Sequence, residues 1–133
     1  MTVRAAAAVS AVYDALVGVL MLVGRPLLAD IFGVPLPQPP IFADLNGVFL
    51  VAVAAGYLIP YREPDSRGGR MYLWVMGPLL KGAGALTFVL DFIVRHSPRS
   101  FLLFAVSDGT LALLTLWALT SSAARGQSDT RRP

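Results

Sequence analysis

The sequence of 133 residues contains no cysteine, one histidine and only 14% charged residues. The lack of cysteine excludes disulfides, thiolate catalysis and Cys-ligated zinc or iron–sulfur sites. With His96 as its single histidine, the chain has no multi-His metal or haem site, and we expect no metal and no other cofactor. The arginines form no dense basic patch, so nucleic acid is not an expected partner. A nucleophile elbow, a Walker loop and a dinucleotide fingerprint are also missing.

Hydrophobic residues, in contrast, make up 56% of the chain, and the mean hydropathy is +0.66. Four apolar stretches each have about the 20 residues that a helix needs to cross a hydrocarbon core of roughly 30 Å. These stretches are Ala5–Gly24, Ile41–Pro60, Met71–Val94 and Phe101–Thr120. Because backbone polar groups in lipid must be paired within the protein, the sequence predicts four transmembrane helices in contact with the lipid bilayer.

Short connections between these stretches predict an all-α fold, an antiparallel four-helix transmembrane bundle. The predicted domain covers residues 1–124, with helices at about 3–24, 41–60, 71–95 and 100–122. The Arg25-Pro26 pair favours a break, and the following residues predict a short interfacial helix that Gly33 ends. Pro78 is expected to kink the third helix because its nitrogen donates no hydrogen bond. Residues 125–133 are predicted to form a disordered cytoplasmic tail.

The distribution of arginines predicts the orientation of the bundle. Three arginines flank one side, and seven flank the other, namely Arg4, Arg62, Arg67, Arg70, Arg125, Arg131 and Arg132. The positive-inside rule therefore places both termini in the cytoplasm. Aromatic residues at the cytoplasmic boundary would form an interfacial belt: Tyr57, Tyr61, Tyr72, Trp74 and Trp117. Asp14 interrupts the first apolar run, so we do not expect a cleaved signal peptide.

Three ionisable side chains lie at similar depth inside the predicted helices, at roughly 10–15 Å from the start of each apolar stretch. They are Asp14, Lys81 and Asp108. An unpaired charge at this depth costs about 2.5–3.5 kcal/mol, so we expect an intramembrane cluster in which Lys81 pairs with Asp14 or with Asp108. Gly77 and Gly84 lie on the same helix face as Lys81, which permits close approach of a neighbouring helix. The cluster is either a functional site or a structural ion pair that fixes helix register.

A second polar group is predicted toward the outer ends of the helices, as a mouth above the cluster. Asp44 and Asn46 open the second helix, and Asp91 and Arg95 close the third. Adjacent antiparallel helices would bring these ends together. Two structural interpretations remain open, because Asp44 can complement a helix dipole and Asp91 with Arg95 can form a plain i,i+4 ion pair.

Several short motifs are similar to those of a known group of proteins. They are Tyr13-Asp14, Arg25-Pro26, Phe32-Gly33, Gly47-Val-Phe-Leu50, Gly56-Tyr57-Leu58, Lys81 and Asp108. In these motifs, over about residues 11–120, the chain resembles small bacterial inner-membrane proteins of four helices that are broadly DoxX-like. The resemblance implies the four-helix architecture. Such proteins are often accessory subunits of membrane redox or export systems.

Three functions are compatible with these patterns. The first is an accessory or scaffold subunit that associates with itself or with a membrane partner through Gly/Ala-rich faces. The second is a dimeric, proton-coupled exporter of small amphipathic molecules, in which Asp14 or Asp108 exchanges a proton; the pairing with Lys81 and the lack of an inverted repeat count against it. The third is a membrane-embedded isomerase or cyclase, acting on a lipophilic substrate with one of these acids as general acid. Of these three functions, we expect the accessory or scaffold subunit.

Overall fold

The structure, a computed structural model, describes the backbone of residues 1–129 and the side chains of residues 1–122. It confirms the all-α fold, in which four long apolar helices pack together and a short helix follows the first. The α-helices are α1 (Val3–Val23), α2 (Arg25–Phe32), α3 (Ile41–Gly56), α4 (Leu58–Arg62), α5 (Arg67–Trp74), α6 (Gly82–Arg95) and α7 (Leu102–Asp129). The predicted tail, residues 125–133, overlaps the end of α7 and otherwise lies outside the described residues, so its disorder remains a prediction.

Within the described residues, four helical segments are long and apolar enough to cross a membrane. We call them spans 1 to 4: Val3–Val23, Ile41–Arg62, Arg67–Arg95 and Arg99–Ser122. Each span leaves large apolar side chains exposed on its outer face, as Val12, Leu58, Val94 and Leu113 show. An apolar surface of this extent needs a lipid cover. The chain is therefore a small multi-pass membrane protein.

Local side-chain chemistry sets several helix ends. The Thr2 hydroxyl accepts a hydrogen bond of 3.2 Å from the Ala5 N–H at the start of α1, and the Ser66 hydroxyl caps α5 in the same way. Both satisfy a backbone donor that the first turn of a helix leaves free. Gly33 ends α2 with φ of 63°, a left-handed conformation that glycine adopts without steric cost. The predicted stop of the short helix is confirmed.

Span 3 changes helix type in its middle. Residues Val75–Lys81 form a π-helical segment between α5 and α6. Pro78 lies inside this segment, where its missing N–H leaves one hydrogen bond of the α-helical ladder unmade. The sequence predicts a kink at this proline, whereas the structure shows a π-helical segment that ends at Lys81. Segments of this kind often occur at functional sites.

The buried hydrophobic core lies at one end of the bundle, where α1 meets spans 2 and 3 and the far end of α7. The buried cluster there consists of Val3, Ala7, Val53, Tyr57, Leu73 and Leu119. Tyr72 joins spans 2 and 3 at this end, because its hydroxyl donates a hydrogen bond of 2.6 Å to the Val53 carbonyl. Toward the other end, α3 packs against α1 and α6 packs against α7. Spans 2 and 3 diverge there, and the bundle has a cleft between them.

Candidate functional site

Lys81, Asp14 and Asp108 form one ion cluster in the middle of the bundle. The Lys81 ammonium lies 2.5 Å from Asp14 Oδ1 and 3.7 Å from Asp108 Oδ1. Asp14 is 1% exposed and Lys81 6% exposed, whereas the Asp108 side chain is 18% exposed. The choice that the sequence leaves open is thus resolved as a short buried pair with Asp14 and a longer contact with Asp108. The cluster joins spans 1, 3 and 4.

Tyr13 completes the surroundings of the lysine. The Lys81 ammonium lies 4.8 Å from the centre of the Tyr13 ring, within the range of a cation–π interaction. The Tyr13 hydroxyl shares a hydrogen bond of 2.7 Å with the Ser107 hydroxyl on α7. Sequence reasoning missed this role, since a tyrosine next to Asp14 in the chain gives no sign of which helix its ring contacts.

Four buried oxygen atoms near or below the cluster have no hydrogen-bond partner among the side chains and backbone groups that the structure describes. They are Ser10 Oγ, Asp14 Oδ2, Tyr57 Oη and Thr115 Oγ1. A buried polar atom without a partner is costly, so most such atoms in proteins are paired. The Asp14 oxygen matters most here, because it belongs to the cluster itself.

The cluster borders a cavity of about 270 Å³ that lies in the cleft between α3 and span 3. Its polar lining comes from Tyr13, Asp14, Asn46, Lys81 and Asp108. The remaining lining is apolar and includes three phenylalanines, Phe49, Phe88 and Phe104. An apolar chamber with a few convergent polar groups is the usual form of a small-molecule site.

A second cavity of about 470 Å³ adjoins the first. It lies under α2 and the proline-rich connection, and Phe32, Phe42 and Phe101 contribute to its wall. Met21, Asn46 and Phe104 line both cavities. The two chambers therefore follow one another from the ion cluster toward the end of the bundle where α2 lies.

The four residues of the predicted outer mouth lie in two separate places. Asp44 accepts a hydrogen bond of 2.7 Å from Arg25, and Asn46 lines both cavities. Asp91 pairs with Arg95 at 3.0 Å and also accepts a hydrogen bond from the Ser97 hydroxyl. Within the described part of the chain no hydrogen bond or ion pair links the two groups. The reason is that α6 packs against α7 rather than against α3.

Tyr57 differs from its predicted place in an interfacial belt. Its side chain is fully buried, and its ring meets the Tyr72 ring edge-to-face at 5.3 Å between centroids. Together with the Tyr72–Val53 hydrogen bond, this contact closes the cleft at the end opposite α2. The depth of a tyrosine in a span gives no indication of whether it faces lipid or a neighbouring helix.

Among the described residues, no group of three His, Asp or Glu side chains is placed to hold a metal ion. No protein-family model, curated protein or solved structure matches this chain. The geometry of the ion cluster and its cavities is therefore the basis for a functional conclusion.

Proposed function

We propose that this membrane protein binds a small amphipathic molecule within the bilayer and acts as an accessory subunit of a membrane complex. The observation that carries the proposal is the position of the Asp14–Lys81–Asp108 cluster at one wall of an otherwise apolar cavity. A polar head group would meet the cluster, and an apolar body would contact the phenylalanine walls.

The cleft supports access to this cavity from the lipid phase. Phe49 on α3 and Leu80 on span 3 line the cavity, and both are exposed on the outside of the bundle. A molecule dissolved in the acyl chains would reach the cluster by passing between these two helices. It would not need to cross the packed end that Tyr57 and Tyr72 close.

The accessory role is the part of the proposal that concerns partners. A second copy of the chain or another membrane subunit would complete the complex, as in the DoxX-like proteins that the sequence resembles. The sequence predicts that small residues form the contact with a partner, but several of them pack inside the bundle. Gly18 faces Gly47 between α1 and α3, and Gly77 faces Thr115. A partner would therefore contact the exposed apolar faces instead.

Location and orientation belong to the same proposal. The arginine distribution supports an orientation with both termini in the cytoplasm, and the resemblance to DoxX-like proteins supports a bacterial inner membrane. The cavity under α2 would then lie toward the outer side, and the Tyr57–Tyr72 contact toward the cytoplasm.

A proton-coupled exporter is the second candidate, and the adjoining cavities favour it. They extend from the ion cluster to the region below α2, as a transport path would. Proteoliposome uptake with Asp14→Asn and Asp108→Asn tests this candidate. Unchanged transport in both variants excludes it.

Native mass spectrometry of the protein in lipid nanodiscs tests binding directly. We expect a co-purified small molecule on the wild-type chain and its loss in Gly84→Leu. Gly84 lines the cavity, so the added side chain fills it. Gly68→Leu is the matched control, because nothing lies within 4 Å of a Cβ at Gly68. An unliganded wild-type protein, or equal ligand in both variants, contradicts the proposal.

The same spectra test the accessory role through the mass of the intact assembly. We expect a stoichiometric second copy or a second polypeptide. A lone monomer contradicts this part of the proposal.

A further inference from the structure

We propose that the molecule held in this cavity is a lipophilic monocation, an amine whose ammonium group lies against Asp108. This inference rests on the proposed function, since it names the chemical class of the ligand that the cavity binds. Four observations support it: the net charge of the cluster, the position of Asp108 at the cavity, the aromatic walls, and the ion pairs that already engage Lys81 and Arg25.

The cluster has an excess of one negative charge when its members are ionised. It holds two carboxylates, Asp14 and Asp108, and one ammonium, Lys81. Lys81 lies at hydrogen-bond distance from Asp14 but 3.7 Å from Asp108, so its pairing is strongly biased to Asp14. In an apolar surrounding a second carboxylate needs a positive partner or a proton. A cationic ligand supplies that partner.

The Asp108 carboxylate lies at the cavity, where such a ligand can meet it. Oδ1 faces Lys81, whereas Oδ2 lies 3.6 Å from the position that a Cβ would occupy at Gly84. Gly84 and Asp108 both line the cavity, and Gly84 has no side chain that would cover this carboxylate. Asp14 also lines this cavity, but its Oδ2 atom is buried. The Asp108 side chain is 18% exposed, so Asp108 is the acid that an N–H donor in the cavity can reach.

Aromatic rings form the walls beside this carboxylate. Phe88 and Phe104 are stacked with centroids 5.4 Å apart, and Phe104 stacks in turn on Phe32 at 4.8 Å. Ring faces attract ammonium groups and also accommodate apolar bodies. The stack runs from the first cavity into the second, which gives an amphipathic amine an apolar path for its tail.

An anionic ligand fits the described lining less well, because both of its cations are engaged. Lys81 contacts Asp14 and Asp108. Arg25, in the second cavity, donates to Asp44 at 2.7 Å. A carboxylate or phosphate would have to displace an existing ion pair at either place, whereas an ammonium adds a partner to Asp108 without breaking one.

The experiment compares three probes of nearly equal shape: 1-naphthylmethylamine, 1-naphthylmethanol and 1-naphthoic acid. Binding is measured by equilibrium dialysis against the full chain in phosphatidylcholine nanodiscs, with empty nanodiscs subtracted. We expect the amine to bind at least about tenfold more tightly than the alcohol, since hydrogen bonds to charged groups are the stronger ones. The acid is expected to bind most weakly.

Variants then assign the preference to one residue. We expect Asp108→Asn to weaken the amine by at least about tenfold while the alcohol is unaffected, and Asp108→Glu to retain the preference. Asp91→Asn is the matched control, because Asp91 lies outside both cavities. Helicity from circular dichroism shows whether each variant is folded, and the wild-type comparison needs no variant at all.

The outcomes separate this inference from the proposed function. If amine and alcohol bind equally to the wild type, or the acid binds best, the cation preference is wrong and the cavity still binds a small molecule. If Asp108→Asn is folded and keeps the amine preference, the assignment to Asp108 is wrong. If none of the probes binds to the wild type, this inference is wrong, and the co-purified molecule in the native mass spectra decides the proposed function separately.

Discussion

The Tyr72 hydroxyl donates a hydrogen bond of 2.6 Å to the backbone carbonyl of Val53. This bond joins span 3 to span 2 at the end of the bundle where Tyr57 is buried. Beyond this joint α3 and α6 diverge, and the cavity occupies the gap between them. The opening of the cleft therefore depends on how firmly the two spans are held at this end.

Removal of this hydroxyl tests the joint. We expect Tyr72→Phe to lower the free energy of unfolding by about 1 kcal/mol, because the hydrogen bond is lost while the ring contact with Tyr57 remains. Thermal unfolding in detergent micelles measures the effect. Tyr61→Phe is the control, since Tyr61 lies on the exposed surface of the same end. Equal stability of Tyr72→Phe and Tyr61→Phe would show that the joint contributes nothing.

Removal of the Lys81 charge has a larger expected effect. Lys81→Met leaves two carboxylates facing each other in the core, and loss of one partner of a buried ion pair typically costs about 3–5 kcal/mol. Denaturant titration of the purified protein measures the loss. Arg95→Met removes the cation of an exposed pair, and we expect a much smaller loss because solvent screens such a pair. Similar losses in both variants would contradict the buried character of the cluster.

A double variant tests whether the loss of stability in Lys81→Met arises because Asp14 is left without its partner. In the double variant Lys81→Met with Asp14→Leu, no charge of the short pair remains, and we expect it to be more stable than Lys81→Met alone. If the double variant loses the sum of both single effects, the two residues are not coupled. Asp108 stays in place throughout, so the comparison reports on the Asp14–Lys81 contact.

The cluster was predictable from the sequence because a charge inside an apolar run stands out and depth along a helix follows from residue count alone. Asp14, Lys81 and Asp108 are at similar depth, and the structure brings them together. The stop at Gly33 was predictable for a related reason, because it follows from the backbone of the residue itself. At Pro78 the sequence predicts a kink, whereas the structure shows a π-helical segment.

The arrangement of the spans around the bundle was not predictable in this way. Depth placed Asp44 and Asp91 at the same level, yet α3 and α6 lie on either side of the cleft and the two acids keep separate partners. Tyr57 has the depth of an interfacial residue and is buried. Packing between distant segments decides which face of a span meets a neighbouring span. Because these helices are apolar on every side, their hydrophobic pattern does not reveal that face.

Close helix contact at Gly18 gives a further prediction. A Cβ at this position would lie 2.9 Å from the Gly47 carbonyl oxygen, so Gly18→Ala forces α1 and α3 apart. We expect a loss of about 1–3 kcal/mol, as for other overpacked contacts. Gly82→Ala is the control within the same membrane region, because its Cβ would lie 4.0 Å from the Cβ of Ala112 on α7. Thermal unfolding that ranks Gly82→Ala as the less stable variant would contradict this geometry.

The proposed orientation can be tested because the chain has no cysteine of its own. Gln38→Cys places one thiol in the exposed proline-rich connection, and Asp65→Cys places one in the exposed loop between spans 2 and 3. Seven arginines flank the side of residue 65 and three flank the other, so the positive-inside rule predicts that residue 38 is outside. A membrane-impermeant maleimide applied to intact cells should label the Gln38→Cys variant, and it should label the Asp65→Cys variant only after permeabilisation. The reverse pattern would place both termini outside. The cavity under α2 would then open toward the cytoplasm, and a ligand that enters beside α2 would come from that side.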